Sequence, residues 1–116
     1  MIRFITFISL FGLLSLVSAC NPQTEKEKVD YKTAFLVDVR SPDEFAEGSV
    51  PGAVNIPLQE IDHRIAEFQG KKQIVVFCRS GSRSTQAKSL LEQAGVTNII
   101  NGGTWEKVRE DAENQL

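Results

Sequence analysis

Cys78-Arg79-Ser80-Gly81-Ser82-Arg83-Ser84 brings together one thiol, two guanidinium groups and a run of small residues. It follows the apolar, β-branched run Ile74-Val75-Val76-Phe77 and precedes an amphipathic helical pattern, so the cysteine falls at a strand-to-helix turn. Small side chains let backbone N–H groups at such a turn point inward, and the helix start adds the positive end of its dipole. These donors, with Arg79 and Arg83, favour a thiolate over a thiol and an anion as its substrate. Only the thiolate attacks, and an ordinary thiol of pKa about 8.5 is mostly protonated at neutral pH. The residues are those of an activated nucleophile handling a small anion. Gly81 supplies a backbone conformation that a residue with a Cβ resists.

The elements that must position this turn alternate between two periods. Phe35 to Val39 reads as a buried parallel strand, ended by Arg40 and Ser41. Ser41-Pro42-Asp43-Glu44 is a helix start, with an N-cap serine, a proline at the first position and a glutamate three residues on; Gly48 ends that short helix. Val50 to Ala53 is a turn and Val54 to Ile56 a second short strand. Leu58, Ile61, Ile65 and Phe68 predict a helix over 58–68, broken at Gly70-Lys71-Lys72. After the cysteine strand, Ala87, Leu90, Leu91 and Ala94 predict a helix closed by Gly95. Val96 to Ile100 is expected as a strand, Gly102-Gly103 as a turn, and 105–114 as a terminal helix. Strands alternating with helical patterns predict parallel βα units in an α/β sandwich.

Taken with Leu36-Val37-Asp38-Val39-Arg40, Pro42-Asp43-Glu44-Phe45, Gly48-Ser49-Val50-Pro51-Gly52-Ala53-Val54-Asn55-Ile56-Pro57 and the Gly102-Gly103 pair near Trp105, the cysteine loop resembles a single-domain rhodanese. The resemblance runs from about Phe35 to Val108. It implies a five-stranded parallel sheet with helices on both faces. It also implies sulfurtransferase chemistry: a cysteine takes the outer sulfur of thiosulfate, holds it as a persulfide and passes it to cyanide or a thiol. Cys78 matches the nucleophile, and Arg79, Ser80, Gly81, Ser82, Arg83 and Ser84 match the substrate-binding loop. Arg79 is placed to attract the anion, and Arg83 matches a loop-closing arginine held by Asp38 or Glu44. Asp38 and Arg40 are supporting residues; Asp38 either orients the loop or caps its strand. Cysteine phosphatases place five residues between cysteine and arginine. Here there are four, and the smaller cradle ranks phosphatase and arsenate reductase chemistry below sulfur transfer. A catalytically silent carrier or sensing module is the other reading the resemblance leaves open.

Residues 1–19 carry one charge, Arg3, an apolar middle and a small-residue end, which reads as a secretory signal peptide. Val17-Ser18-Ala19-Cys20 resembles a bacterial lipoprotein cleavage box, with Cys20 the lipidated N-terminus, and an envelope location follows. Residues 20–33 are expected as a polar tether and 34–116 as the domain. Removing 19 of 116 residues leaves 97, enough for one domain. Without Arg3, 12 basic residues face 15 acidic ones, near −3, with no basic stripe to bind nucleic acid. His63, the one histidine, sits between Asp62 and Arg64, so no metal site or cofactor is expected. Trp105 is expected in the core. Ser49 stands where many of the resembled proteins carry histidine, and is expected outside the chemistry.

Overall fold

The computed structural model describes residues 28–116. The signal segment, Cys20 and most of the expected tether lie outside the described residues. The elements are β1 (Phe35–Asp38), α1 (Pro42–Glu47), β2 (Val54–Asn55), two 3₁₀ segments (Leu58–His63 and Ile65–Phe68), β3 (Ile74–Cys78), α2 (Ser82–Gln93), β4 (Ile99–Thr104) and α3 (Trp105–Glu113). The sheet is parallel throughout, in the order β2-β1-β3-β4.

Residue alternation along the strands divides the core in two. Val37, Ile74, Val76 and Cys78 point to the side covered by Ala87 and Leu91 of α2 and by Ile61 and Phe68 of the 3₁₀ segments. Leu36, Val75 and Phe77 point to the other side, against Val50 and Val108 of α3. The sheet therefore has helices on both faces, as expected. Strand order reverses direction between β1 and β3, and Cys78 ends β3 at that point, where open α/β sheets form a crevice beyond the strand ends.

Four expectations about the elements are corrected. The sheet has four strands among the described residues, not five. The chain ahead of β1 is a turn, in which the amides of Thr33 and Ala34 bond to the Asp30 carbonyl. The expected helix over 58–68 is two 3₁₀ segments, separated at Arg64, whose φ of −126° breaks the helical path. β4 begins three residues later than expected, because Val96 is still tied back to the Leu91 carbonyl in the turn that closes α2. It also absorbs the Gly102-Gly103 pair, expected as a turn. Between Val76 and Phe77 the register slips by one residue, so that Asn101 faces Val76 and Gly103 faces Phe77. A Cβ at Gly102 would lie 2.5 Å from Val108 Cγ2 and 3.0 Å from Val75 Cγ1, so only glycine lets α3 approach the sheet here.

Residues 28–33, assigned from sequence to the tether, make contacts with the domain, although Lys28, Asp30, Lys32 and Thr33 are exposed. Val29, Tyr31 and Ala34 lie against the second apolar cluster. Gln115 donates to the Val29 carbonyl (2.7 Å) and accepts from the Tyr31 amide (3.0 Å). Gln73 accepts from the Asp30 amide (2.9 Å) and donates to the Lys28 carbonyl (3.2 Å).

Candidate active site

Cys78 is fully buried at the end of β3, and the chain turns over it to start α2. Gly81 makes that turn with φ +92° and ψ −11°, the left-handed region. A Cβ there would meet Gly103 Cα at an ordinary 3.7 Å, so backbone conformation rather than space demands the glycine. The turn aims two amides at sulfur: Gly81 N–H at 3.0 Å and Ser84 N–H at 3.4 Å from Sγ. The Cys78 thiol lies 3.5 Å from Ser84 Oγ. Burial pushes the thiol up, but the bonds available to the ionised sulfur, from the Ser84 side chain and from the amides of Ser84, Ser80 and Gly81, outweigh it and hold Cys78 below its ordinary value. Among the described residues Cys78 is the free cysteine.

The two arginines separate by partner. Arg83, on the first turn of α2, makes a forked bond to Glu44 of α1, Nη1 to Oε1 at 2.6 Å and Nη2 to Oε2 at 2.9 Å. Glu44 is itself fixed by the expected capping box, its Oε1 accepting from the Ser41 amide and hydroxyl. The Arg83 guanidinium beside it holds the Glu44 carboxyl down at about 2. Of the two carboxylates offered by the sequence, Glu44 holds Arg83. Asp38 instead pairs with Arg40 in a buried cluster: Asp38 accepts from Arg40 Nη2 at 2.7 Å and from Ser49 Oγ at 2.6 Å. Arg40 Nη2 also donates to the Gly48 carbonyl at 2.6 Å. A buried pair satisfied from so many sides fixes the ends of β1 and α1 relative to each other.

Arg79 is exposed and lines a cleft of about 240 Å³ beside the loop, with Glu47, Glu106 and Trp105 as further walls. Trp105 is half-buried rather than a core residue alone: it packs on the second apolar cluster, and the guanidinium carbons of Arg40 and Arg109 lie over its ring at 4.9 and 5.0 Å from the centroid. A larger hollow, about 460 Å³, lies between the first 3₁₀ segment and α2, lined by Leu58, Gln59, Asp62, Gln86, Ser89 and Leu90. It offers no cation to an anion, which makes the smaller cleft the candidate approach to sulfur.

The structure thus brings Cys78, Gly81, Arg83 and Ser84 together and sets Arg79 at the rim. Ser80 and Ser82 are exposed, and His63 lies on the surface. No group of three or more His, Cys, Asp or Glu residues able to hold a metal occurs among the described residues. Two contributions were not legible beforehand. Asn101 accepts from the Ser84 hydroxyl at 2.8 Å. Glu47 and Glu106 make the cleft rim partly acidic. An asparagine directly before a double glycine on the neighbouring strand was the available signal for the first.

The rhodanese-like domain family model matches residues 21–109. A sulfurtransferase of Allochromatium vinosum is 39% identical over 72 residues, 62% of this chain and 67% of that protein. The thiosulfate sulfurtransferase PspE of Escherichia coli is 41% identical over 69 residues, 58% of this chain and 66% of that protein. The chain therefore spans about two thirds of the length of these curated relatives. Among solved structures, a rhodanese with anions from E. coli is similar with a TM-score of 0.59 and 37% identity, covering 64% of this chain and 89% of that one. With the parallel sheet, the cysteine loop and a match across most of its length, the chain belongs to the rhodanese-like family.

Proposed function

We propose that this protein is a sulfurtransferase in which Cys78 carries the sulfur. The Cys78 thiolate attacks the outer sulfur of thiosulfate or of a persulfide donor. With thiosulfate, the Sγ–S bond forms as the S–S bond of the donor breaks, and sulfite leaves with its electron pair. The enzyme then holds Cys78–S–S⁻. A thiol or cyanide attacks the outer sulfur, takes it, and returns the Cys78 thiolate. The observation that carries the reading is the convergence of the Gly81 and Ser84 amides on Sγ at the start of α2. The same cradle that favours the thiolate also stabilises a charged outer sulfur. Arg79 at the rim draws in the doubly charged donor, and Arg83, clamped by Glu44, holds the first turn of α2 in place. The names of the relatives, one of them a thiosulfate sulfurtransferase, support thiosulfate as donor.

The reading extends to the N-terminus: cleavage before Cys20, lipidation there, and a domain displayed in the cell envelope. No helix among the described residues is long and apolar enough to cross a membrane. The test of the chemistry is intact-mass spectrometry after thiosulfate. One sulfur atom is expected on Cys78, and none in Cys78→Ala. Turnover with cyanide follows if the protein is an enzyme; a persulfide that forms but no small acceptor removes would identify a carrier instead. Absence of the added sulfur would refute both.

A further inference from the structure

The Ser84 side chain has one proton and three acceptors within reach: Asn101 Oδ1 at 2.8 Å, the Gly81 carbonyl at 3.0 Å and Cys78 Sγ at 3.5 Å. The Gly81 carbonyl is already occupied. It accepts the Thr85 amide at 3.0 Å and the Thr85 hydroxyl at 2.7 Å, one for each lone pair. Asn101 is fixed with its oxygen toward Ser84, because Oδ1 also accepts the Gly103 amide at 3.0 Å and Nδ2 donates to Thr85 Oγ1 at 3.0 Å. The Ser84 proton therefore rests on Asn101, and the Ser84 oxygen presents a lone pair to sulfur. That arrangement suits a thiol, whose S–H donates to Ser84 Oγ. It opposes a thiolate, which needs a donor.

We propose that Asn101 is a positioning residue that decides which way Ser84 points its proton, and so how tightly Cys78 keeps its own. When Cys78 ionises, the Ser84 hydroxyl leaves Asn101 and turns to donate to S⁻, so the thiolate's gain is offset by the loss of the Asn101 bond. Resting on the reading of Cys78 as sulfur carrier, the same hydroxyl turns again in each half-reaction. Once sulfur is loaded, Sγ is neutral, the charge sits on the outer sulfur, and the Ser84 proton returns to Asn101. Asn101 does not touch the sulfur. Its partners, Ser84 (fully buried) and Gly103, join the nucleophile to the bulge in β4. The charged groups around this network are Arg79 on the loop, Arg83 with Glu44 from α1, and Asp38 with Arg40 at the end of β1; β4 brings none.

The test is the pH dependence of Cys78 alkylation by iodoacetamide in the full chain, read on the Cys78 peptide by mass spectrometry, which needs no sulfur donor. In Asn101→Ala the Ser84 hydroxyl is free to serve the thiolate. The alkylation midpoint should move down by about half a unit to one unit, the worth of one neutral hydrogen bond. In a Ser84→Ala background, Asn101→Ala should leave the midpoint where it is. Asn101→Val, which suits a strand, replaces alanine if that variant does not fold. An unchanged or raised midpoint with Ser84 present, or the same fall without Ser84, would overturn the proposal. A chain that shows the expected shift yet takes no sulfur from thiosulfate would overturn the sulfurtransferase reading and leave this one standing.

Discussion

Replacing Glu44 by glutamine removes the charge that clamps Arg83 while keeping the capping amide beside Ser41 nearly isosteric. The magnitude follows from the carboxyl, which the Arg83 guanidinium lowers from an ordinary 4.5 to about 2. At face value that difference is about 3 kcal/mol. Solvent reaches both partners, with side chains 26% and 34% exposed, and screening reduces the pair to about 1 kcal/mol. For a domain of this size about 1 kcal/mol corresponds to roughly 4–8 °C in Tm. The pH dependence has a fixed sign. A carboxyl depressed in the folded state stabilises fully above its unfolded pKa, and that stability is lost as pH falls through 4.5 toward about 2. Wild type should therefore exceed Glu44→Gln at pH 7, and the gap should narrow from pH 4.5 downward. Urea unfolding at pH 7, 4 and 3 measures it. A gap equally wide at pH 7 and pH 3, or no gap at pH 7, would refute the clamp as an electrostatic device.

Other perturbations separate the parts of the site and the core. Arg79→Ala should raise KM for thiosulfate without lowering Tm, whereas Arg83→Ala should do both, because only Arg83 ties α2 to α1; steady-state kinetics beside thermal melts distinguish them, and equal losses of stability would overturn the division. Gly102→Ala should destabilise by about 1–3 kcal/mol as the added methyl displaces Val108, which denaturant titration would register. A chain starting at Ala34 should melt below one starting at Lys28, because Val29 and Tyr31 leave the second apolar cluster and Gln115 loses two partners; equal melting temperatures would return residues 28–33 to the tether.

Where the deciding interactions are local, the sequence was readable. The capping box of α1 depends on residues three apart, and it forms as read. The β-branched run of β3 and the glycine after Cys78 locate the cysteine turn for the same reason. Long-range competition accounts for the rest. Leu58 and Ile61, and Ile65 and Phe68, are each three apart, a spacing that a single 3₁₀ turn also satisfies, and the four-residue step between the pairs falls across the break at Arg64, so spacing alone did not distinguish the segment from an α-helix. Gly102-Gly103 resembles a turn until Val75 and Val108 close on the position that a Cβ at Gly102 would take. Asp38 and Glu44 were equivalent partners for Arg83 on sequence grounds. The choice rests on Arg40, whose position two residues after Asp38 lets its amide and its guanidinium both satisfy the same buried carboxylate.

Gln73 stands immediately before β3, and Cys78 is the last residue of that strand. Five residues of strand, about 16 Å, separate the clasp on Lys28 and Asp30 from the sulfur. Gln115 brings the other end of the described chain to the same clasp. The domain therefore has a handle and a working end. Whatever is joined ahead of Lys28, whether a lipid surface, a fused protein or a solid support, takes hold at the end away from Cys78 and leaves the cleft facing outward. If Cys78 passes sulfur as proposed, large acceptors can then reach it without passing the support, and immobilised forms of the protein should turn over as fast as free ones.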